Sequence, residues 1–132
     1  MASIFTKIIQ GDIPCYKIAE DDRFFAFLDI NPLAKGHTLV VPKVEVDYIF
    51  DLDEELLGDM MKFAKKVALA IDASMECKRV GIAVLGLEVP HAHIHLCPIN
   101  DLYDIEFSRP KLKLSREEFE KIAEAISQKV IL

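Results

Sequence analysis

The chain has 132 residues, of which 52% are hydrophobic and 29% charged, and its formal net charge is −6. At roughly 100–200 residues per domain that is one domain, residues 1–132, and the apolar share excludes a disordered chain. The acidic balance excludes generic phosphate-backbone binding, and no apolar run approaches the roughly 18 residues of a membrane span. Neither nucleic acid nor a membrane is therefore an expected partner.

The opening Met1-Ala-Ser-Ile-Phe-Thr-Lys lacks the basic start and long apolar stretch of a signal peptide. Three widely spaced cysteines, Cys15, Cys77 and Cys97, argue against a disulfide framework. Reduced thiols in a cytoplasmic setting are the expectation.

Ile4, Phe5, Ile8 and Ile9 predict a short helix ended by Gly11. Asp12-Ile13-Pro14 is a turn, and Lys17 to Glu20 a short strand before the acidic turn Asp21-Asp22. Phe24 to Ile30 is apolar enough for a well-buried strand, stopped by Asn31-Pro32. Gly36 opens the next strand, His37 to Val41, which Pro42 closes. A long helix is predicted from about Asp53 to Met75, with Asp51 and Glu54 spaced as a capping box. Leu56, Met60, Phe63, Val67, Ala70 and Ile71 recur there at helical spacing. Val80 to Leu85 reads as a buried strand. Ala92, Ile94 and Leu96 then alternate with three histidines at strand period. Asn100 to Lys113 is polar and reads as a surface loop. Ser115 and Glu118 form a second capping box, before Phe119, Ile122, Ala123 and Ile126 on one helical face. The order of elements predicts an antiparallel sheet with helices packed on it, an α+β domain.

Of the four histidines, three stand at 91, 93 and 95. On a strand, residues two apart share a face at roughly 6.5–7 Å. A row of imidazoles is costly to bury without partners, which points to a functional cluster. One reading is a metal site, with Glu88 or His37 completing the ligands. The other is nucleophilic catalysis at phosphorus. There a neutral imidazole attacks, and protonated neighbours offset the charge of the transferring group.

His91-Ala-His93-Ile-His95-Leu resembles the His-x-His-x-His-x signature of the histidine-triad (HIT) superfamily. Upstream, Ile4-Phe-Thr-Lys-Ile-Ile-Gln-Gly-Asp-Ile-Pro14, Glu20-Asp-Asp, Phe25-Ala-Phe-Leu-Asp29-Ile-Asn-Pro32 and Gly36-His37-Thr-Leu-Val-Val-Pro-Lys43 are similar to the family's blocks. The likeness runs in register over about residues 4–98. It implies a HIT fold, a five-stranded antiparallel sheet with one long central helix, a short N-terminal helix and a C-terminal helix. It also implies a homodimer whose sheets join. The chain is most similar to the Hint-like branch, which hydrolyses nucleoside phosphoramidates and related nucleotidyl conjugates. The Fhit-like branch cleaves dinucleoside polyphosphates, and the galactose-1-phosphate uridylyltransferase branch has Gln where this chain has His95.

Carried over by position, the resemblance implies that His93 is the nucleophile and forms a nucleotidyl-histidine at the α-phosphorus. His91 and His95 would flank it on the phosphate oxygens, and His37 would complete the cluster. Asp29 matches the carboxylate that holds the ribose hydroxyls of an AMP-like purine nucleotide. Phe5, Ile8, Ile13, Phe27, Ile30 and Leu39 match positions around the base. No cofactor is implied, and no Cys pair supports the extra metal of some relatives. Four positions depart from the pattern. Leu87 replaces a phosphate-contacting Gln, Glu88 a hydroxyl residue, and Val80 an Asn; Glu45 stands where many relatives have His. Glu88 reads either as a general acid or as a solvent-facing carboxylate. The expectation is a changed leaving-group preference or weak activity on standard substrates. The alternatives are a nucleotide-binding protein with little catalysis, a dinucleoside polyphosphate hydrolase and a metal-dependent enzyme.

Overall fold

The computed structural model describes residues 2–132. Helix α1 spans Ile4–Ile9, capped by Ser3, whose hydroxyl accepts the Thr6 amide. Gly11 follows at φ +84° and turns the chain away. Helix α2 spans Glu54–Ser74 and buries Met60, Phe63, Ala64, Val67, Ala70 and Ile71 along one face. Its cap is Asp53, which accepts the Leu56 amide at 2.8 Å. The sequence pattern favours Asp51 for that role, but Asp51 closes a separate 3-10 turn over Ile49–Asp51, and the chain is extended again at Leu52. Helix α3, Arg116–Ser127, has the expected reciprocal cap between Ser115 and Glu118 and buries Phe119, Ile122, Ala123 and Ile126.

The strands are β1 (Lys17–Glu20), β2 (Phe24–Leu28), β3 (Thr38–Pro42), β4 (Arg79–Ala83) and β5 (Ile94–Ile99). They form one sheet in the order β1-β2-β3-β5-β4, antiparallel throughout. Strands β2 and β3 are buried on both faces, which explains their unbroken apolar sequences. Phe24, Ala26 and Leu28 face α2 and α3 in the main core. Phe25 and Phe27 point the other way and join Phe5, Leu39 and Val41 in a second cluster under α1. The site lies on that second face.

Two expectations fail here. The β4 segment is not buried: Ile82 is 48% exposed and Leu85 51%. It is an edge strand paired only with β5, and apolar β-branched sequence does not distinguish an edge from a centre. The histidine row is also not wholly within a strand, since β5 begins at Ile94. Just before it, Ala92 donates to the Val46 carbonyl at 2.6 Å rather than to a sheet neighbour. The alternation survives all the same, with Ala92, Ile94 and Leu96 in the main core. No helix among the described residues is long and apolar enough to cross a membrane.

Candidate active site

All four histidines are buried and gathered on one face. The His93 and His95 ring centres are 4.9 Å apart, and those of His37 and His95 5.2 Å. His37 enters from the start of β3 after Gly36, whose φ is +98°. A Cβ on Gly36 would lie 2.8 Å from Met75 Cγ at the end of α2. The turn that delivers His37 thus needs glycine for both conformation and space.

Hydrogen-bond partners fix the state of each ring. Leu33 donates its backbone N–H to His37 Nδ1 at 3.0 Å, so that nitrogen is an acceptor and Nε2 carries the hydrogen. His37 Nε2 lies 3.0 Å from His95 Nδ1 and donates to it, which leaves the His95 hydrogen on Nε2. His91 is arranged by different partners. Its Nε2–H donates to the Pro42 carbonyl at 2.8 Å, and its Nδ1 accepts from the Ser3 hydroxyl at 2.7 Å. His93 Nδ1–H donates to the His91 carbonyl at 2.7 Å, leaving a lone pair on Nε2. Among the described residues, Arg109 Nε is the one buried side-chain polar atom without a partner. The unpartnered Nε2 atoms of His93 and His95 are therefore open to solvent.

Burial disfavours imidazolium. It drives His37 down to about 3 and, with the His93 ring beside it, His95 down to about 4. Burial also lowers His91, against the opposing pull of its bond to Pro42. The rings around His93 are thus neutral near pH 7. They offer N–H dipoles, not the positive charge expected from protonated neighbours. His91, moreover, has both nitrogens engaged inside the protein and cannot reach a phosphate oxygen without giving up one of those bonds.

Asp29 follows β2, and its Oδ1 accepts the Asn31 amide at 2.8 Å. Burial raises its pKa, partly opposed by that bond. Its Oδ2 lies 3.6 Å from His37 Nε2. Asp29, His37 and His95 bring ligand atoms within 4.8 Å of one another, the one grouping among the described residues with metal-ligand spacing. The donor set does not suit an ion. His37 Nδ1 is filled by the Leu33 amide, and binding through Nε2 would turn an Nδ1 hydrogen against that same donor.

Two cavities meet at Asp29. One is an apolar slot of about 240 Å³ lined by Phe5, Ile8, Ile13, Phe27, Ile30 and Leu39, every position expected around a base. The other, about 340 Å³, holds His37, His95, Leu87, Phe107 and Lys111. Asp29 and Glu88 line both. Glu88 is exposed, and Leu87 is 91% exposed. Val80 packs against the main core, away from this rim. His93 lines a third cavity of about 270 Å³ with Tyr48, Phe50 and Leu85.

Sequence reasoning missed Phe107 and Lys111. The Asn100–Lys113 segment is not simply a surface loop. It forms a 3-10 turn at Leu102–Ile105, and Leu112 is tied back to the Pro32 carbonyl at 2.9 Å. The Phe107 ring stands edge-on to His95 at 4.6 Å. The Lys111 ammonium donates to the Phe107 and Arg109 carbonyls beside the cavity. A Phe and a Lys in a non-periodic polar stretch carry no signal of this closure.

Residues 10–102 match the HIT domain family. The chain is 37% identical over 132 residues to adenosine 5'-monophosphoramidase hnt1 of Schizosaccharomyces pombe, covering 98% of this chain and 99% of that protein. Its structure is similar to a crystal structure of a Hit-like protein involved in cell-cycle regulation from Bartonella henselae. The TM-score there is 0.83 at 30% identity, over 96% of this chain and 95% of that one. A HIT-family structure from Bacillus subtilis gives a TM-score of 0.74 at 31% identity, over 100% and 99% of the two chains.

Proposed function

Since the chain belongs to the HIT family, in its Hint-like branch, we propose that it is a hydrolase of nucleoside phosphoramidates or related nucleotidyl conjugates. The observation that carries this is the paired state of two rings. His93 holds a lone pair outward and neutral His95 an N–H outward, beside an apolar slot with a carboxylate at its end. The relative named as an adenosine monophosphoramidase supports an AMP-like ligand.

In this reading the base lies in the slot, and Asp29 accepts hydrogen bonds from the ribose hydroxyls. His93 Nε2 attacks the α-phosphorus, an N–P bond forms, and the bond to the leaving amine breaks. His95 Nε2–H donates to a non-bridging phosphate oxygen as charge builds there. The departing amine takes its proton from solvent at the shared rim that Glu88 lines, and the proton of the water that attacks next returns there. Water then attacks the nucleotidyl-histidine, releases the nucleotide and restores the His93 lone pair. His91 orients His93 through its carbonyl. Phe107 and Lys111 border the leaving-group side, where the cation favours an anionic leaving group.

Intact-mass measurement after brief mixing with an adenosine phosphoramidate tests this. One AMP adduct is expected on the wild type and none on His93→Ala, whose turnover should fall at least about 10³-fold. AMP binding without adduct or turnover would replace the enzyme reading with that of a nucleotide-binding protein.

The same reading includes a homodimer. The edge strand β4 and the residues after it expose Ile82, Val84 and Leu85, and an apolar edge is a ready pairing surface. Light scattering should give twice the chain mass. A 14.9 kDa species alone at micromolar concentration would reject the dimer.

A further inference from the structure

Glu45 is an exposed carboxylate between β3 and the 3-10 turn, and the mechanism above leaves it without a role. Its surroundings are not those of a free surface side chain. Its Oε1 accepts the Ser3 amide at 2.6 Å and the Thr6 hydroxyl at 2.7 Å. Each hydroxyl has one hydrogen. The Thr6 hydrogen is taken by Glu45, and the Ser3 hydrogen goes to His91 Nδ1 at 2.7 Å. The Ser3 oxygen meanwhile accepts the Thr6 amide at 3.0 Å. Thr6 Oγ1 itself lies 3.4 Å from His91 Nδ1.

We propose that Glu45, acting with Ser3 and Thr6, is a positioning residue whose hydrogen bonds aim the Ser3 hydroxyl at His91 Nδ1, hold the His91 ring in place and so aim the His93 imidazole. The inference rests on the reading that His93 is the nucleophile. Without the carboxylate, the Thr6 hydrogen is free to compete for His91 Nδ1, and the Ser3 hydroxyl loses its single arrangement. His91 is gripped from the same segment twice more, through the Pro42 carbonyl on its ring and the Val46 carbonyl on the Ala92 amide. Ser3 also caps α1, which carries Phe5. That ring stands edge-on to His93 at 5.0 Å and lines the base slot. One cluster therefore registers the wall of the slot against the nucleophile.

The test compares Glu45→Ala with Glu45→Gln, and adds Thr6→Val. The readouts are turnover of an adenosine phosphoramidate, AMP affinity, melting temperature and histidine ¹⁵N spectra. For Glu45→Ala we expect kcat to fall about tenfold with AMP affinity changed less than about threefold. The Pro42 carbonyl keeps the hydrogen on His91 Nε2, so the tautomer should stay while the Nδ1 signal moves as its bond from Ser3 is disturbed. Glu45→Gln keeps a carbonyl oxygen able to accept both bonds, so kcat should stay within about twofold of wild type. Thr6→Val should move the same His91 signals. Wild-type kcat and an unchanged His91 Nδ1 signal in Glu45→Ala would overturn the proposal. So would a Glu45→Gln variant as impaired as Glu45→Ala. Should the wild type turn over no phosphoramidate, the functional reading fails while the His91 Nδ1 signal still decides the role of Glu45.

Discussion

In the His91–His93 half of the cluster, backbone carbonyls of Pro42 and His91 take the ring hydrogens. In the His37–His95 half, the backbone amide of Leu33 fills a ring lone pair and sets the next ring through it. The side chains are chemically identical, yet His93 and His95 turn the same atom, Nε2, outward in opposite states. An acceptor behind the ring frees a lone pair, and a donor behind it frees an N–H. The difference between nucleophile and oxyanion donor is thus set by the polarity of the backbone behind each ring.

The largest effect that separates the halves should come from His95→Ala. Losing one donor to the developing charge should lower kcat about 10²- to 10³-fold while AMP affinity changes little. Steady-state kinetics with AMP titration checks this, and a loss confined to affinity would break the comparison. His37→Phe should cost less, about tenfold in kcat, because His95 keeps its ring but loses the donor that sets its tautomer.

The halves also differ in acid. His37 and His95 are held to about 3 and about 4, against an ordinary value of 6.5. Below about pH 6.5 the unfolded chain takes up protons there and the folded chain does not, so stability falls as pH falls. The loss should run from about 6.5 toward about 4 for His95 and about 3 for His37. Asp29, raised by burial, contributes the opposite slope over its own window. Denaturant melts between pH 7 and 4 should show the fall, and His37→Phe should flatten part of it. The smallest effect is expected from Lys111→Ala, a few-fold rise in KM for an anionic leaving group, lost at high salt.

Much of this was legible in the sequence. Helical spacing located α2 and α3, and unbroken apolar runs located β2 and β3. The alternation at 91–95 put the three histidines opposite Ala92, Ile94 and Leu96. Residues spread from Phe5 to Leu39 do line one slot. The edge position of β4 was not legible, because pairing partners are a property of the assembled sheet. Nor was the approach of Phe107, which depends on a loop folding back over the cavity. The ring tautomers were the least legible, since the groups that set them include the Leu33 amide and the Pro42 and His91 carbonyls. Backbone groups leave no mark in composition or period.

The Leu33 amide has a consequence for how this site tolerates inherited change. Every amino acid except proline supplies an N–H at position 33. Selection on that residue therefore acts on the buried, 2% exposed side chain for fit alone, while the chemistry is carried by a group that substitution rarely removes. A saturation library at this codon should sort into two classes. Apolar replacements of similar size should keep the His95 N–H directed outward. Proline should lose activity beyond any loss of stability, even though no side chain at this position reaches the substrate.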